Sequence, residues 1–428
     1  MDKEQRVRLA DLIDIKHGFA FQGEFFSSNG PGDLLVTPGN FAIGGGFQWG
    51  KAKFYNGPIP KDYILEAGDL IVSMTDLSKE ADTLGYSAIV PKCDKRLLHN
   101  QRIGKIIRRR KDTNLHFIYW VMRSQEYRNE VLASFTGSTV KHTSPTRILA
   151  FEFLLPPRHE QTAIAAVLDA LDDKIDLNRC MNETMETMAR AIFKDWFVDF
   201  GPTRAKMEGR TPYLSSDVWA LFPERLDDEG KPVDWQSSVL TEEFRLVMGQ
   251  SPPGETYNQN GDGLLFFQGR TDFGWRYPQQ RVFCTAPSRF AETDDTLVSV
   301  RAPVGDLNMA WEHCAIGRGV AAVRHRGGHR GYTYYTLSHI QPLLAAFEHE
   351  GTVFGAINKI QFEALPVIVP PSAVVQAFEN VANMFDDTIR VNISETETLA
   401  ATRDLLLPKL MSGEIRIKDA EKIVETVL

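Results

Sequence analysis

Side chains that could bind a polyanion are concentrated in the loops of two regions of the chain. They are arginine, lysine, glutamine, histidine and hydroxyl residues, the groups that hydrogen-bond to base edges and phosphates. In residues 1–155 the candidates are Gln48, Lys51, Lys53, Thr75, Lys79, Ser138, Thr139, Lys141 and His142. In residues 236–370 they are Arg270, Arg276, Arg301, Arg318, Arg324 and Arg326. Singly, each is more often an ordinary surface residue, but their presence in both regions favours nucleic-acid binding.

Signatures of catalysis are missing from the sequence. The run Gly45–Ala52 has the spacing of a phosphate-binding loop, but alanine stands where serine or threonine would hold magnesium. The pair His159-Glu160 lacks the second histidine of a zinc protease, and Gly317–Gly319 is too short for a dinucleotide fingerprint. The four cysteines are scattered, which predicts neither disulfides nor a zinc site. We therefore predict no catalytic residue and no metal site.

Composition and charge are those of a soluble cytoplasmic protein. No apolar run is long enough to span a membrane, and the first residues are too polar for a signal peptide. The net charge of the chain is −8, but it is unevenly distributed. Residues 1–155 carry 21 basic and 17 acidic side chains, whereas residues 156–235 carry 10 and 16. Because phosphate binding needs local positive charge, the overall acidity does not exclude DNA as a partner.

Two long segments with a heptad pattern must position these loops. In residues 156–200, apolar and small residues recur at alternating spacings of four and three from Ile164 to Trp196. This is the pattern of a coiled-coil helix, which Gly201-Pro202 should end. The same pattern returns 214 residues later, from Phe378 to Leu410, where Pro408 should end or kink the second helix. The two helices should pair with each other.

The polar residues of the two segments also correspond at the offset of 214. Asn178 matches Asn392, a seam residue of the kind that sets register. The acidic pairs form a second correspondence, and they are Asp172, Asp173, Asp386 and Asp387. Like charges at this spacing destabilise a helix slightly. The acidic pairs are therefore either a solvated face or sites where partner subunits dock.

The whole pattern predicts a mixed α/β (α+β) fold that is a pseudo-twofold tandem repeat. Two globular domains are joined by two long antiparallel coiled-coil helices. The predicted boundaries are 1–155 for the first domain, 156–200 for the central helix, 201–235 for a connection without a core, 236–370 for the second domain, 371–413 for the distal helix and 414–428 for a marginally ordered tail.

Several motifs together resemble the specificity subunit of type I restriction–modification systems (the HsdS family). Residues 154–175 and Ala191–Phe197 are similar to the central conserved region of that family, and Leu405–Ile415 to its distal conserved region. Val298–Gly305 and Ile316–Val320 resemble its target-recognition domains. The resemblance extends over nearly the whole chain.

The resemblance implies a non-catalytic DNA-recognition subunit. Each globular domain would read one half of a split target in double-stranded DNA, and the helices would set the spacer between the halves. Two methyltransferase subunits and two restriction–translocase subunits would be the partners. S-adenosylmethionine, ATP and magnesium would belong to those partners, with no cofactor on this chain. Two alternatives stay open: a target-recognition fragment of a single-chain restriction or methyltransferase enzyme, and a non-catalytic coiled-coil DNA-binding scaffold.

Overall fold

The computed structural model describes residues 5–28, 30–349 and 355–428. It divides into two compact units. Unit 1 comprises residues 1–178 and 394–428, and unit 2 comprises residues 179–393. Each unit therefore combines a globular domain with part of both long helices. No helix in the described ranges has the length and apolar character needed to cross a membrane.

The globular part of unit 1 alternates short strands with short helices. Its strands are β1 Gln5–Arg8, β2 Ile13–His17, β3 Phe26–Ser27, β4 Asp33–Val36, β5 Phe54–Tyr55, β6 Ile64–Leu65, β7 Leu70–Ser73, β8 Thr75–Asp76, β9 Ser87–Ile89, β10 Leu97–His99, β11 Ile103–Arg108, β12 Lys141–His142 and β13 Glu152–Leu155. Its helices are α1 Leu9–Leu12, α2 Leu115–Val121, α3 Gln125–Ser134 and α4 Pro145–Leu149.

Two sheets organise this domain. A four-stranded antiparallel sheet has the order β2-β11-β7-β9, and a five-stranded sheet has the order β3-β5-β4-β10-β6. In the second sheet β4 and β10 are parallel. Two short ribbons complete the domain: β1 pairs with β13, and β12 pairs with β8.

The remaining elements follow the first domain along the chain. The helices are α5 Arg158–Phe197, α6 Gly201–Met207, α7 Ser216–Ala220, α8 Leu240–Glu243, α9 Arg330–Ala346, α10 Lys359–Glu363, α11 Ser372–Met411 and α12 Ile417–Val427. The strands are β14 Gln236–Val239, β15 Phe244–Met248, β16 Tyr257–Asn258, β17 Leu264–Phe267, β18 Phe283–Cys284, β19 Phe290–Ala291, β20 Thr296–Val300, β21 Val304–Met309, β22 Cys314–Ile316, β23 Val320–His325 and β24 Pro366–Val369.

The second domain repeats the sheets of the first, which confirms the predicted duplication. Its sheets have the orders β15-β23-β20-β21 and β16-β18-β17-β22-β19, and β14 pairs with β24 as β1 pairs with β13. Strands β17 and β22 are parallel, as β4 and β10 are. In both domains a glycine lies where two backbone segments approach each other very closely. A Cβ at Gly18 would overlap the carbonyl oxygen of Asn100, and one at Gly249 would overlap that of Gly317.

The two predicted long helices are present, and each is 40 residues long. Helix α11 begins and ends 214 residues after α5, as the repeat requires. Within unit 1, Asp172 contacts Arg403 and Asn178 contacts Glu395, so the two helices run antiparallel. Within unit 2, antiparallel pairing brings α5 and α11 together as well, with Asn392 donating to Asn182 at 2.8 Å.

The seam of the helix pair is continuous with the core of each domain. In unit 1, Leu168 and Leu171 from α5 and Leu399 from α11 are fully buried in one cluster with the four-stranded sheet. In unit 2, Phe378 of α11 packs edge-on against Phe193 of α5, with ring centroids 5.5 Å apart. The polar seam residues Asn178 and Asn392 are also buried. The helices are therefore part of each domain's core.

Two sequence predictions were wrong and a third was wrong in part. The sequence predicted that Pro408 ends or kinks the second helix, but α11 does not end there, because the carbonyl that Pro408 leaves unpaired belongs to exposed Asp404. Residues 414–428 are mostly helical, since Ala420 and Val424 of α12 are buried in the core of unit 1. The connection at 201–235 does contribute to a core, because Trp235 is buried in the aromatic cluster of unit 2.

Candidate nucleic-acid interface

At one end of the four-stranded sheet of unit 1, the last residues of two strands lie beside the first residues of a third. Strands β2 and β7 both run antiparallel to β11, so their last residues lie beside its first residues. His17 is in register with Gly104, and Ser73 with Ile103. The loop after β7 and the turn before β11 therefore emerge at the same end of the sheet.

An open cleft of about 360 Å³ lies at this end of the sheet. We call it the polar cleft. Its polar lining residues are His17, Thr75, Gln101, His142, Thr143, Ser144 and Thr146. The pairing of β8 with β12 sets Thr75 opposite His142, and the threonine Oγ1 lies 3.2 Å from the imidazole Nδ1. The Thr143 hydroxyl is buried and has no hydrogen-bond partner among the described residues. The cleft thus offers hydroxyl, imidazole and carboxamide groups to a ligand.

The loop that follows β8 lies beside the polar cleft, and the buried side chain of Lys141 holds it in place. Lys141 is buried, and its ammonium donates to the carbonyls of Ser78 (2.5 Å) and Lys79 (2.7 Å). The Asp76 carboxylate accepts hydrogen bonds from the backbone amides of Ser78 and Thr83. Burial alone would raise the pKa of Asp76, but these hydrogen bonds outweigh it and lower the pKa. The prediction that Lys141 contacts DNA is therefore wrong: its ammonium is used within the protein.

Three other predicted residues lie on the rim formed by these loops. Lys79 is almost fully exposed, and Ser138 and Thr139 are exposed in the loop that leads into β12. The β8–β12 pairing thus brings together candidates separated by some 60 residues of sequence.

The remaining candidates of unit 1 do not line the polar cleft. They belong to the loop between β4 and β5. The Gln48 carboxamide donates to the carbonyls of Gly39 and Phe41, so it stabilises that loop. The Lys53 ammonium lies 4.5 Å from the centre of the Phe26 ring, and Lys51 is exposed. The cluster at Gln48, Lys51 and Lys53 is a separate surface.

In unit 2 the equivalent end of the sheet carries arginines. Ser73 is in register with the first residue of β11, and Ser299 with the first residue of β23. Arg301 lies two residues after Ser299, as Thr75 lies two residues after Ser73. Arg318 precedes β23 by two residues, as Gln101 precedes β11. The amide of Val300 donates to the carbonyl of Gly319 at 2.9 Å, so Arg301 and Arg318 flank one backbone contact.

Two further arginines lie next to this contact. The carbonyl of Arg289 accepts from the amide of Ile316, two residues before Arg318. Arg270 follows Gly269, whose neighbour Gln268 accepts from the amide of Gly319. We call the set Arg270, Arg289, Arg301 and Arg318 the arginine edge.

Three of these four guanidinium groups are available to a ligand. Arg270 pairs with Asp306 at 2.9 Å. Arg289, Arg301 and Arg318 are exposed, and no side-chain hydrogen bond or ion pair joins them to any other described residue. Unpaired arginines on a surface are suited to bidentate contacts with phosphates or with guanine.

The other arginines predicted in unit 2 have different roles. The Arg276 guanidinium is fully buried, pairs with Asp386 and lies 3.7 Å from the centre of the Tyr334 ring. It cannot contact DNA, so that prediction is wrong. Arg324 pairs with Asp295 at 2.5 Å. Arg326 donates to the Thr241 carbonyl, and it follows the far end of β23, about 20 Å from the arginine edge.

In each acidic pair of the long helices one residue is paired inside the unit and the other is exposed: Asp172 is half-buried and Asp386 is buried, whereas Asp173 and Asp387 are exposed. Asp172 pairs with Arg123 and with Arg403, and these arginines outweigh burial and lower the pKa of Asp172. Asp386 is buried against Arg276. Both carboxylates hold the domains onto the helices. Asp386 is buried and cannot contact a partner, which corrects the prediction for it, whereas docking at half-buried Asp172 stays a prediction.

Asp173 and Asp387 remain candidates for docking. Asp387 is 66% exposed, although it pairs with Arg330, and Asp173 is exposed on α5. No group of three or more His, Cys, Asp or Glu side chains within the described residues is arranged to hold a metal ion.

Sequence reasoning missed His17, Gln101 and Arg289. Gln101 could have been found by aligning the two repeats, because it occupies the position of Arg318. Arg289 has no comparable signal: it joins the arginine edge only through the pairing of β19 with β22.

Comparison with known proteins agrees with this architecture. The family described as "Type I restriction modification DNA specificity domain" matches residues 1–187. A protein from Methanocaldococcus jannaschii, described as the MjaX specificity subunit of a type I restriction enzyme, is 27% identical over 362 residues, which cover 83% of this chain and 80% of the relative. The HindI specificity subunit of Haemophilus influenzae is 24% identical over 70% of this chain and 77% of its own length.

A solved structure shares the fold. The S subunit of a type I restriction–modification system from M. genitalium aligns with a TM-score of 0.59 over 96% of both chains, at 15% identity. Fold and site together define a duplicated, two-domain protein built on a pair of long helices. In sequence the chain is similar to specificity subunits of type I restriction–modification systems.

Proposed function

We propose that this chain is the DNA-recognition subunit of a type I restriction–modification complex. Each domain reads one half of a bipartite target in double-stranded DNA. The observation that carries the proposal is the equivalence of the polar cleft and the arginine edge. The same end of the same sheet presents DNA-binding side chains in both repeats, but the side chains differ. A duplicated frame with different reading groups is what a split, asymmetric target requires.

The helices have two roles in this proposal. They set the number of base pairs between the half-sites, and they dock two methyltransferase subunits through surfaces that include Asp173 and Asp387. Two restriction–translocase subunits complete the complex, which acts in the cytoplasm. The relatives are described as specificity subunits of restriction enzymes, which supports this assignment.

The chemistry belongs to the partners. S-adenosylmethionine, ATP and magnesium bind to the methyltransferase and restriction subunits, and this chain takes no cofactor. Purified chain alone is expected neither to methylate nor to cleave DNA, and methylation is expected when a methyltransferase subunit is added. Turnover by the isolated chain would contradict this part of the proposal.

A domain exchange tests the division of labour. Residues 236–370 are replaced by the corresponding residues of a relative with another target, and methylated adenines are mapped in cells that carry the whole system. One half of the target should change while the other half stays the same. The matched control replaces residues 5–155, which should change the opposite half. If either exchange alters both halves, the domains do not read independently.

A further inference from the structure

The polar cleft and the arginine edge present different chemical groups at equivalent positions. Thr75 and Gln101 in unit 1 are neutral, whereas Arg301 and Arg318 in unit 2 are cationic. A carboxamide pairs with the N6 and N7 atoms of adenine in the major groove, and a guanidinium pairs with O6 and N7 of guanine. Groups this different favour different bases.

The backbone around the arginine edge is closely packed. The amide of Arg318 donates to the Ser251 hydroxyl at 3.2 Å, and the amide of Gly319 donates to the Gln268 carbonyl at 3.1 Å. A Cβ at Gly319 would lie only 2.5 Å from that carbonyl oxygen, so the glycine permits the close approach. The guanidinium groups thus extend from a fixed backbone, as directional base contacts require.

The absence of intramolecular partners distinguishes base-reading arginines from structural ones. Arg276 and Arg324 are each paired with a carboxylate of their own unit. Arg301 and Arg318 are exposed and make no side-chain hydrogen bond or ion pair with other described residues. Their donors are free to form bidentate pairs, and binding need not first break an ion pair.

We propose that the half-site read by unit 2 contains guanine, and that Arg301 and Arg318 read it through its O6 and N7 atoms. This inference rests on the proposed function and names the base that the arginine edge selects. Arg289 lies beside the reading pair, where it contacts a phosphate that flanks the guanine.

The test uses the complex of the full chain with its methyltransferase subunits. Its target is first determined by mapping methylated adenines, and the domain exchange assigns each half-site to a domain. Binding to duplexes is then measured by fluorescence anisotropy, with 7-deazaguanine replacing each guanine in turn. This base lacks the N7 acceptor but still pairs with cytosine. In the half-site of unit 2, at least one replacement should weaken binding about 5-fold or more.

Variants identify the reading residues. Arg301→Lys and Arg318→Lys keep the positive charge but lose the bidentate donor geometry, so each should weaken specific binding by about 5-fold to 150-fold and leave non-specific binding unchanged. In the responsible variant, 7-deazaguanine should cause no further loss. Arg245→Lys is the matched control, because Arg245 is exposed on the same sheet and pairs in register with Arg324 at its far end. It should bind like the wild type.

Three results would overturn the inference: no guanine in that half-site, no effect of 7-deazaguanine there, or equal losses on specific and non-specific DNA. Equal losses would assign the arginines to phosphate contacts. If the wild-type complex showed no sequence preference at all, the proposed function itself would be wrong, so the two failures are distinguishable.

Discussion

Replacing Asp386 by asparagine should strongly destabilise unit 2. The Asp386 carboxylate is buried against the Arg276 guanidinium, whose side chain is fully inaccessible to solvent. Asparagine has nearly the same shape as aspartate but no charge, so the guanidinium would stay buried without its counter-ion. Removing one partner of a buried ion pair costs about 3–5 kcal/mol.

The contacts that remain place the expected loss at the lower end of that range. Arg276 would still donate to the Tyr335 hydroxyl at 3.1 Å and lie over the Tyr334 ring at 3.7 Å. A desolvated cation–π contact contributes up to about 2 kcal/mol. We therefore expect a loss of about 3 kcal/mol. For a unit of about 200 residues this corresponds to a decrease in Tm of roughly 6–12 °C.

Calorimetry of the full chain measures this decrease, and the neighbouring residue provides the control. Asp387 also pairs with an arginine, Arg330, but it is 66% exposed. An exposed ion pair contributes only about 0–1 kcal/mol, so Asp387→Asn should lower Tm by a few degrees at most. The double variant Arg276→Met, Asp386→Leu removes both charges and should recover most of the lost stability. Equal decreases for Asp386→Asn and Asp387→Asn would refute the reasoning.

Three further outcomes are expected. Burial lowers the pKa of His99 to about 4 and outweighs the hydrogen bond from Nε2 to the Ile103 carbonyl, which alone would raise the pKa. The stability that His99 contributes should be complete above pH 6.5 and fall by roughly 3 kcal/mol towards pH 4. In urea titrations the His99→Gln variant should show a shallower fall. The variants Asp173→Lys and Asp387→Lys should each form a complex with one methyltransferase subunit instead of two, as measured by native mass spectrometry. If the stoichiometry and the affinity stayed unchanged, both aspartates would be solvated residues without a docking role. Inserting seven residues after Asn178 and seven after Ile393 keeps the heptad seam and lengthens the helix pair by about 10 Å. The spacer between the mapped half-sites should therefore lengthen by about 3 base pairs. An unchanged spacer would show that the helices do not set its length.

The sequence alone determined the helices and the duplication, and it indicated the two regions where candidate DNA-binding side chains are concentrated. A heptad seam is a local signal: residues three and four apart share a face whatever the rest of the chain does. The offset of 214 then located the second helix to within two residues of its bounds in the structure. Proline was the misleading local signal, since Pro408 is tolerated where its effect falls on an exposed carbonyl.

Only the tertiary structure decided which charged residues are buried in each unit and which remain available to a ligand. Arg276 and Asp386 are 110 residues apart, and Asp172 and Arg403 are 231 apart. In the sequence they resemble surface charges, because burial and pairing depend on which distant segment packs against them. In the sequence Arg301 is one of many arginines. The strand pairing of unit 2 places it at the end of a sheet, where its side chain pairs with no other residue that the structure describes. Periodicity encodes which face of a helix is buried, whereas long-range packing determines the partner of each charge.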